Sequence, residues 1–184
     1  MSLRIVAGSL GGRSIEAPRG RRTRPTAARV REAWFSGLGG NLQGAQVLDL
    51  FSGSGALGIE ALSRGAVVVQ FVEQDRRTFE VLKRNIESLG LDDSARLHRG
   101  DVFQFLARLE GRPRFDVALA DPPYGRQLAS RLVGEFRRRP FATLLSVEHG
   151  VDEQPGEGAE RQRRYGDTVL SFYSASKGDE TGAS

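Results

Sequence analysis

The sequence predicts an α/β fold: a doubly wound, mostly parallel sheet of seven strands with its last strand antiparallel, preceded by a small hairpin and a helix. Three observations carry that prediction. Short apolar runs alternate with stretches of helical periodicity between residues 46 and 148. The first of those runs leads into a glycine-rich turn and then a helix. The last two runs, 162–165 and 168–174, are separated only by Gly166-Asp167 and so close as an antiparallel pair.

The elements follow in order. Residues 3–7 (LRIVA) and 13–17 (RSIEA) flank a glycine-rich link, Gly8 to Gly12, and read as a β-hairpin. Residues 18–25 (PRGRRTRP) form a basic loop bounded by prolines. Thr26 caps a helix with Val30, Trp34 and Leu38 at helical spacing, ended by Gly39-Gly40. Strand 46–51 (QVLDLF) precedes helix 56–64, which Gly65 closes. Strand 67–72 precedes helix 76–89, with Phe79, Leu82, Ile86 and Leu89 on one face and Gly90 at its end. Strand 96–99, helix 102–109, strand 115–120, helix 126–139 and strand 144–148 continue the alternation. Residues 152–160 are polar and glycine-rich, hence a loop. The expected organisation is a basic extension over 1–40, a main domain over 41–175 and a frayed tail over 176–184.

Composition narrows the chemistry. A chain of 184 residues with 39% hydrophobic and 27% charged residues is one globular domain with a real core. With no cysteine, disulfides, thiolate metal sites and cysteine nucleophiles are excluded. Two histidines, His98 and His149, cannot make a multi-histidine metal site, and neither has a catalytic partner pattern. No run approaches the ~20 apolar residues of a membrane span, and residues 1–13 lack a signal-peptide core. A cytoplasmic, metal-free monomer is expected. Charge is uneven: residues 1–31 carry +7, while the remainder carries −3. Of the basic residues, 25 are Arg and 2 are Lys, and arginine makes planar, bidentate phosphate contacts. A GC-rich genome accounts for the same bias equally well.

Gly53-Ser54-Gly55-Ala56-Leu57-Gly58 is a G-x-G-x-x-G between a strand and a helix, with Glu73 twenty residues after Gly53. That pattern also fits a nicotinamide dehydrogenase. Asp49 argues against it, because a carboxylate at this strand end opposes a pyrophosphate. It suits a ligand that bears an ammonium and a sulfonium, S-adenosylmethionine. Gly53 and Gly55 then let the backbone approach the ligand, Glu73 accepts from the ribose hydroxyls, and Asp101 takes the adenine amine. Phe51 stands beside the cofactor or in the core, and Asp101 can equally be a helix cap.

A second motif, Asp121-Pro122-Pro123-Tyr124, ends strand 115–120, so it faces the same crevice. Two prolines hold the backbone extended. The Asp121 carboxylate and Pro122 carbonyl match the two hydrogens of an exocyclic amine, and the Tyr124 ring can stack on the base that carries it. This geometry serves methyl transfer to nitrogen, with Asp121, Pro122 and Tyr124 as the catalytic set.

At these residues the chain resembles the class I, S-adenosylmethionine-dependent amino-methyltransferases. Arg4-Ile-Val-Ala-Gly8, Gly11-Gly-Arg13 and Arg24-Pro-Thr26-Ala-Ala-Arg29-Val-Arg-Glu32 with Phe35 sharpen the likeness. So does Arg164-Tyr165-Gly166-Asp167-Thr168. Together they resemble the RsmD family of bacterial ribosomal RNA guanine-N2 methyltransferases, over residues 3–174. The resemblance implies methylation of a guanine N2 amine in 16S ribosomal RNA within the small subunit, and a sheet order 3-2-1-4-5-7-6. One departure is Ser36, where the family often carries Asn.

The basic extension then reads as an RNA-binding arm, with Arg19, Arg21, Arg22, Arg24 and Arg29 as phosphate contacts. Arg137-Arg138-Arg139 reads as a solvated helix end, and Arg31 as a surface residue. Two other classes compete. A DNA adenine-N6 or cytosine-N4 methyltransferase would use the same D-P-P-Y but lacks a separate target-recognition domain here. A non-catalytic RNA-binding assembly factor would not need Asp49, Glu73 and D-P-P-Y intact.

Overall fold

The computed structural model describes residues 2–18, 26–109 and 114–175, the side chains of 26 and 27 excepted. The chain runs β1 (Ser2–Arg4), β2 (Ser14–Glu16), α1 (Thr26–Gly37), β3 (Gln46–Leu50), α2 (Ala56–Ser63) and β4 (Val68–Glu73). It continues through α3 (Arg76–Leu89), β5 (Ala95–Arg99), α4 (Val102–Ala107), β6 (Phe115–Ala120) and α5 (Leu128–Arg138). It closes with β7 (Ala142–Gly150), β8 (Arg161–Tyr165) and β9 (Thr168–Ser174). The seven-stranded sheet has the order β5-β4-β3-β6-β7-β9-β8, which is the expected 3-2-1-4-5-7-6. Pairings among β5, β4, β3, β6 and β7 are parallel; β9 pairs antiparallel with both β7 and β8.

The central strands are apolar on both faces because helices cover both. Val47, Val69, Phe71, Val117 and Leu119 pack with Trp34, Phe35, Ile59 and Leu82 on one side. Their sequence neighbours Leu48, Val72, Ala118 and Ala120 pack with Leu106, Leu132, Val133 and Phe136 on the other. Helix boundaries follow local chemistry. Asp75 caps α3 by accepting from Thr78 N at 2.8 Å, and Gly90, at φ 67°, ends it.

Several boundaries differ from the expected ones, the hairpin strands among them, which are only Ser2–Arg4 and Ser14–Glu16. β7 extends beyond 144–148, back to Ala142 where it pairs with Phe115 of β6, and on to Gly150 where it pairs with Thr168 of β9. α5 starts at Leu128 because Gln127 is left-handed at φ 55°, which α-helix excludes. α4 ends at Ala107.

The N-terminal hairpin docks onto the sheet's helical layer. Glu60, fully buried in α2, accepts from Val6 N at 2.7 Å and Ala7 N at 3.0 Å. Arg64 completes the pair at 2.9 Å, with its guanidinium 4.8 Å from the Phe35 ring centroid. Ser63 O and Oγ hold Ser9 N and Leu10 N, and a Cβ on Gly8 would fall 1.9 Å from Ser63 O. Asn85 of α3 accepts from Glu16 N at 2.8 Å and donates to Glu16 O at 3.0 Å. Ile5, Ile15, Val30 and Trp34 therefore belong to the same core as β3 and α2.

Candidate active site

At the carboxyl ends of β3 and β6 the protein has a cleft of about 480 Å³, the size of a small-molecule site. Phe51 to Ser54, Ala56 and Leu57 form one wall; Asp121 to Tyr124 and the Tyr165–Thr168 turn form the facing wall. Leu3, Ala17, Pro18, Val30, Arg31 and Trp34, from the N-terminal extension, complete it. The glycine loop and the D-P-P-Y motif thus meet in one cavity.

The glycine wall is locked by backbone bonds. Ser52 bridges β3 and β4: its Oγ donates to Asp49 O at 2.7 Å, and Val72 N donates to that Oγ at 2.9 Å. Glu73, at the end of β4, accepts from Gly53 N and Asp75 N, both at 2.8 Å. Asp49, 1% exposed, accepts from Gly58 N at 2.9 Å. Burial pushes the Asp49 carboxyl up to about 8; the Gly58 bond opposes the rise, and the charges of Asp121 and Glu73 add to it. Two glycines are sterically required. A Cβ on Gly55, at φ 84°, would lie 2.4 Å from Leu82 Cδ1, and one on Gly58 would lie 2.2 Å from Phe71 Cε1. Phe51 takes a left-handed φ of 58° and meets Phe103 edge-on, ring centroids 6.4 Å apart, while lining the cleft.

The D-P-P-Y wall is held by side chains. Tyr124 is 44% exposed, and its hydroxyl donates to Glu148 Oε1 of β7 at 2.7 Å and lies 3.3 Å from Thr168 Oγ1 of β9. Burial raises the Tyr124 phenol above its ordinary pKa, so it stays protonated and donates. Pro122 is buried and Pro123 exposed, and Asp121 is half-buried in the cleft.

Sequence reading and structure agree unevenly over the site. Asp121, Pro122, Tyr124, Phe51 and Gly53 are gathered at the cleft. Asp49 and Glu73 stand behind it as anchors of the glycine loop and are not among its lining residues. Asp101 caps α4, accepting from Gln104 N at 2.9 Å. Arg29 is exposed on α1, while Arg19, Arg21, Arg22 and Arg24 lie outside the described residues, as does the 176–184 tail. Each arginine of the Arg137–Arg139 cluster has a partner: Glu157 O, Glu135 and Leu106 O respectively. His149 is bonded to Ser171 Oγ and His98 to Gln70, apart from the cleft.

Arg31 corrects the expectation of a surface residue. It is 8% exposed, lines the cleft and donates to Arg4 O at 2.6 Å, because the hairpin folds over this face of α1. Glu148, Thr168 and Trp34 are site residues that sequence reading does not mark as such. The R-Y-G-D-T run is the only signal, and it marks the turn without a role.

The donor set fits S-adenosylmethionine. Asp121, Glu148 and Asp167 against Arg31 give the lining an acidic balance, which favours a sulfonium and an ammonium over a pyrophosphate. No group of three or more potential metal ligands occurs among the described residues, and no helix among them is long and apolar enough to cross a membrane.

Comparison with known proteins points the same way. The family model described as Conserved hypothetical protein 95 matches residues 3–174. The Ribosomal RNA small subunit methyltransferase D of Escherichia coli K12 is 38% identical over 153 residues, 82% of this chain and 76% of that protein. A solved Escherichia coli chain, yhhF, superimposes with a TM-score of 0.81 at 31% identity, covering 95% of this chain and 98% of that one. An RNA methyltransferase from Salinibacter ruber, solved with S-adenosyl-L-homocysteine, shares the fold: TM-score 0.64 at 16% identity, over 82% of this chain and 93% of that one. With the sheet order, the glycine loop and the D-P-P-Y turn all in place, this chain belongs to the Conserved hypothetical protein 95 family, the RsmD family of S-adenosylmethionine-dependent ribosomal RNA methyltransferases.

Proposed function

We propose that this protein transfers the methyl group of S-adenosylmethionine to the exocyclic N2 amine of a guanine in 16S ribosomal RNA of the small subunit. The observation that carries the reading is the meeting of Asp121–Tyr124 with the glycine loop in one cleft. The names of the related proteins supply the small-subunit RNA, and the family resemblance supplies the guanine amine.

When bound, S-adenosylmethionine supplies an electrophilic methyl on a sulfonium. The rest falls to this chain's residues. The lone pair of the target nitrogen is delocalised into the guanine ring. Asp121 and the Pro122 carbonyl accept its two N–H bonds, which favours pyramidalisation and frees the lone pair. Tyr124 offers a flat face to the base, and Glu148 and Thr168 hold that ring in place. Positioning supplies most of the acceleration, for which ~7–11 kcal/mol is available. The methylated nitrogen is acidic, so its proton leaves readily and no strong base is needed beforehand. Glu73 and Asp101 are assigned to the nucleoside and Asp49 to support of the loop. Arg19, Arg21, Arg22, Arg24 and Arg29 are assigned to RNA phosphates.

The test is mass spectrometry of nucleosides from ribosomal RNA incubated, free or in small subunits, with the protein and labelled S-adenosylmethionine. A single new N2-methylguanosine is expected. Label in N6-methyladenosine, or none on either substrate, would overturn the reading. Neutralising Arg19, Arg21, Arg22 and Arg24 should flatten the log–log salt slope of RNA binding by about 0.7–0.9 for each phosphate no longer neutralised.

A further inference from the structure

The D-P-P-Y turn leaves the identity of the base unread. Two acceptors, the Asp121 carboxylate and the Pro122 carbonyl, suit the exocyclic amine of guanine, adenine or cytosine alike. What tells the three apart is the ring nitrogen beside the amine. In guanine that nitrogen, N1, carries a hydrogen and donates; adenine N1 and cytosine N3 carry a lone pair and accept. A carboxylate facing that edge attracts the first and repels the other two. Glu148 stands where such a group is needed. The β6–β7 register ends with Ala120 opposite Val147, so the next residues, Asp121 and Glu148, leave neighbouring parallel strands side by side. Both line the cleft with Tyr124. The Tyr124 hydroxyl donates to Glu148 Oε1 at 2.7 Å, which sets the carboxylate at the rim of the ring offered to the base. Burial does most to raise the Tyr124 phenol, and the charges of Glu148 and Asp121 add to the rise, as both do when close to its hydroxyl. Glu148 is half-buried and rooted in β7, which pairs with β6 and β9. Asp167, the other acid of this wall, is exposed in the β8–β9 turn. An ionised carboxylate has about four acceptor sites, so Glu148 can take a base hydrogen as well as the tyrosine hydroxyl. Holding the tip of a ring needs no charge, since an amide oxygen or a hydroxyl accepts from Tyr124 as well.

We propose that Glu148 selects the base: its carboxylate accepts the N1–H of guanine while Asp121 and the Pro122 carbonyl hold the N2 amine. Three acceptors then meet the three hydrogens of one base edge. Adenine or cytosine would bring a ring lone pair against the Glu148 charge, so an amine that the D-P-P-Y turn alone would accept is refused. The assignment rests on the reading of the cleft as a guanine N2 methylation site and names the residue that makes it one.

The test uses the guanine that the nucleoside assay identifies, in ribosomal RNA joined from synthetic and transcribed pieces, free or reassembled into small subunits. A second RNA carries 2-aminopurine at that position, which keeps the N2 amine and has a bare N1. Methyl transfer is read as kcat/KM on each. Wild-type protein should prefer guanine by about 10- to 100-fold, the discrimination of a good base-edge contact. Glu148→Gln, whose amide still accepts from Tyr124 and can donate to a bare N1, should narrow that preference by about tenfold, with its melting temperature kept. Tyr124→Phe should slow both RNAs and keep the preference. Equal rates of wild-type protein on the two RNAs would overturn the proposal, whatever the variants do. So would a Glu148→Gln protein that is slower on both but keeps the full preference, because Glu148 would then act only through Tyr124. A preference lost in Asp167→Asn and kept in Glu148→Gln would overturn it too. If wild-type protein formed no N2-methylguanosine in unmodified RNA, the proposed function itself would fail, a distinct result.

Discussion

On one wall of the cleft, Gly53 N, Gly58 N and Val72 N are fixed to Glu73, Asp49 and Ser52, all from β3, β4 and the turn between β3 and α2. On the other, Tyr124 is positioned by Glu148 and Thr168, which come from β7 and β9, 24 and 44 residues away. The first wall is main chain held by carboxylates behind the surface. The second is an exposed ring held at its tip by two strands of an antiparallel pair. A wall of main chain can present donors and close approach with little conformational freedom. A wall of side chains can fit a base and let it go. Under the proposed function this construction would divide the labour: a small ligand common to every turnover on the rigid side, and the macromolecular target on the adjustable one.

Asp121→Ala is the sharpest way to break this comparison. Turnover should fall on the order of 10²–10³-fold, as for loss of one preorganised transition-state contact, while S-adenosylhomocysteine affinity holds. Scintillation counting of methyl transfer beside calorimetry reads both; a variant that loses affinity and keeps its rate would reverse the assignment of the walls.

The rigid wall has a pH signature. The Asp49 carboxyl titrates near 8 in the folded protein, against about 3.9 in an unfolded chain. Between those values the folded state holds a proton that the unfolded state has released. Stability therefore falls as pH rises through that window, by at most about 1.4 kcal/mol per unit from this group. Asp49→Asn, which keeps an acceptor for Gly58 N, should flatten the decline in melting temperature between pH 5 and 8. A slope identical to wild type would show that Asp49 is not the titrating group.

Gly58→Ala places a methyl against Phe71 and the Asp49 carboxylate. Overpacking of this kind costs about 1–3 kcal/mol, and for a chain of this size each kcal/mol lowers the melting temperature by about 2–4 °C. Thermal melts of Gly58→Ala with and without S-adenosylhomocysteine should show the loss in both. Tyr124→Phe, by contrast, removes one hydroxyl on the adjustable wall, with its contacts to Glu148 and Thr168. It should raise the Michaelis constant for RNA by a few-fold, with melting temperature and cofactor affinity untouched, since a hydrogen bond is worth about 0.5–1.5 kcal/mol. Cofactor weakening in Tyr124→Phe would mean that the walls are coupled.

The same division explains what the sequence reveals. Gly53, Gly55 and the D-P-P-Y turn are legible because each depends on residues close together in the chain, whereas the sheet order, which sets β3 beside β6, is what the family resemblance implies. Asp101 satisfies two local patterns at once, strand-end acid and helix cap, and the structure shows the cap. Arg31 is misread from sequence because its i±3 and i±4 neighbours do not reveal the hairpin that covers it. Glu148 and Thr168 escape notice for a similar reason: only the β7–β9 register, Gly150 opposite Thr168, brings them to Tyr124. Long-range pairing is what local periodicity cannot encode.

The Glu60 dock also orders events during synthesis. Val6, Ala7 and Glu16 leave the ribosome well before Glu60 and Asn85, from which they are separated by 53 to 69 positions. Two strands of three residues each cannot hold together alone in water. The basic extension, +7 over residues 1–31, thus emerges before its docking partners, and on the proposed reading ribosomal RNA phosphates would attract it. Only the growth of α2 and α3 offers the hairpin a competing home. A nascent chain stalled before Glu60 has emerged should cling to the ribosome by this segment, and one long enough for Asn85 to have emerged should withdraw it.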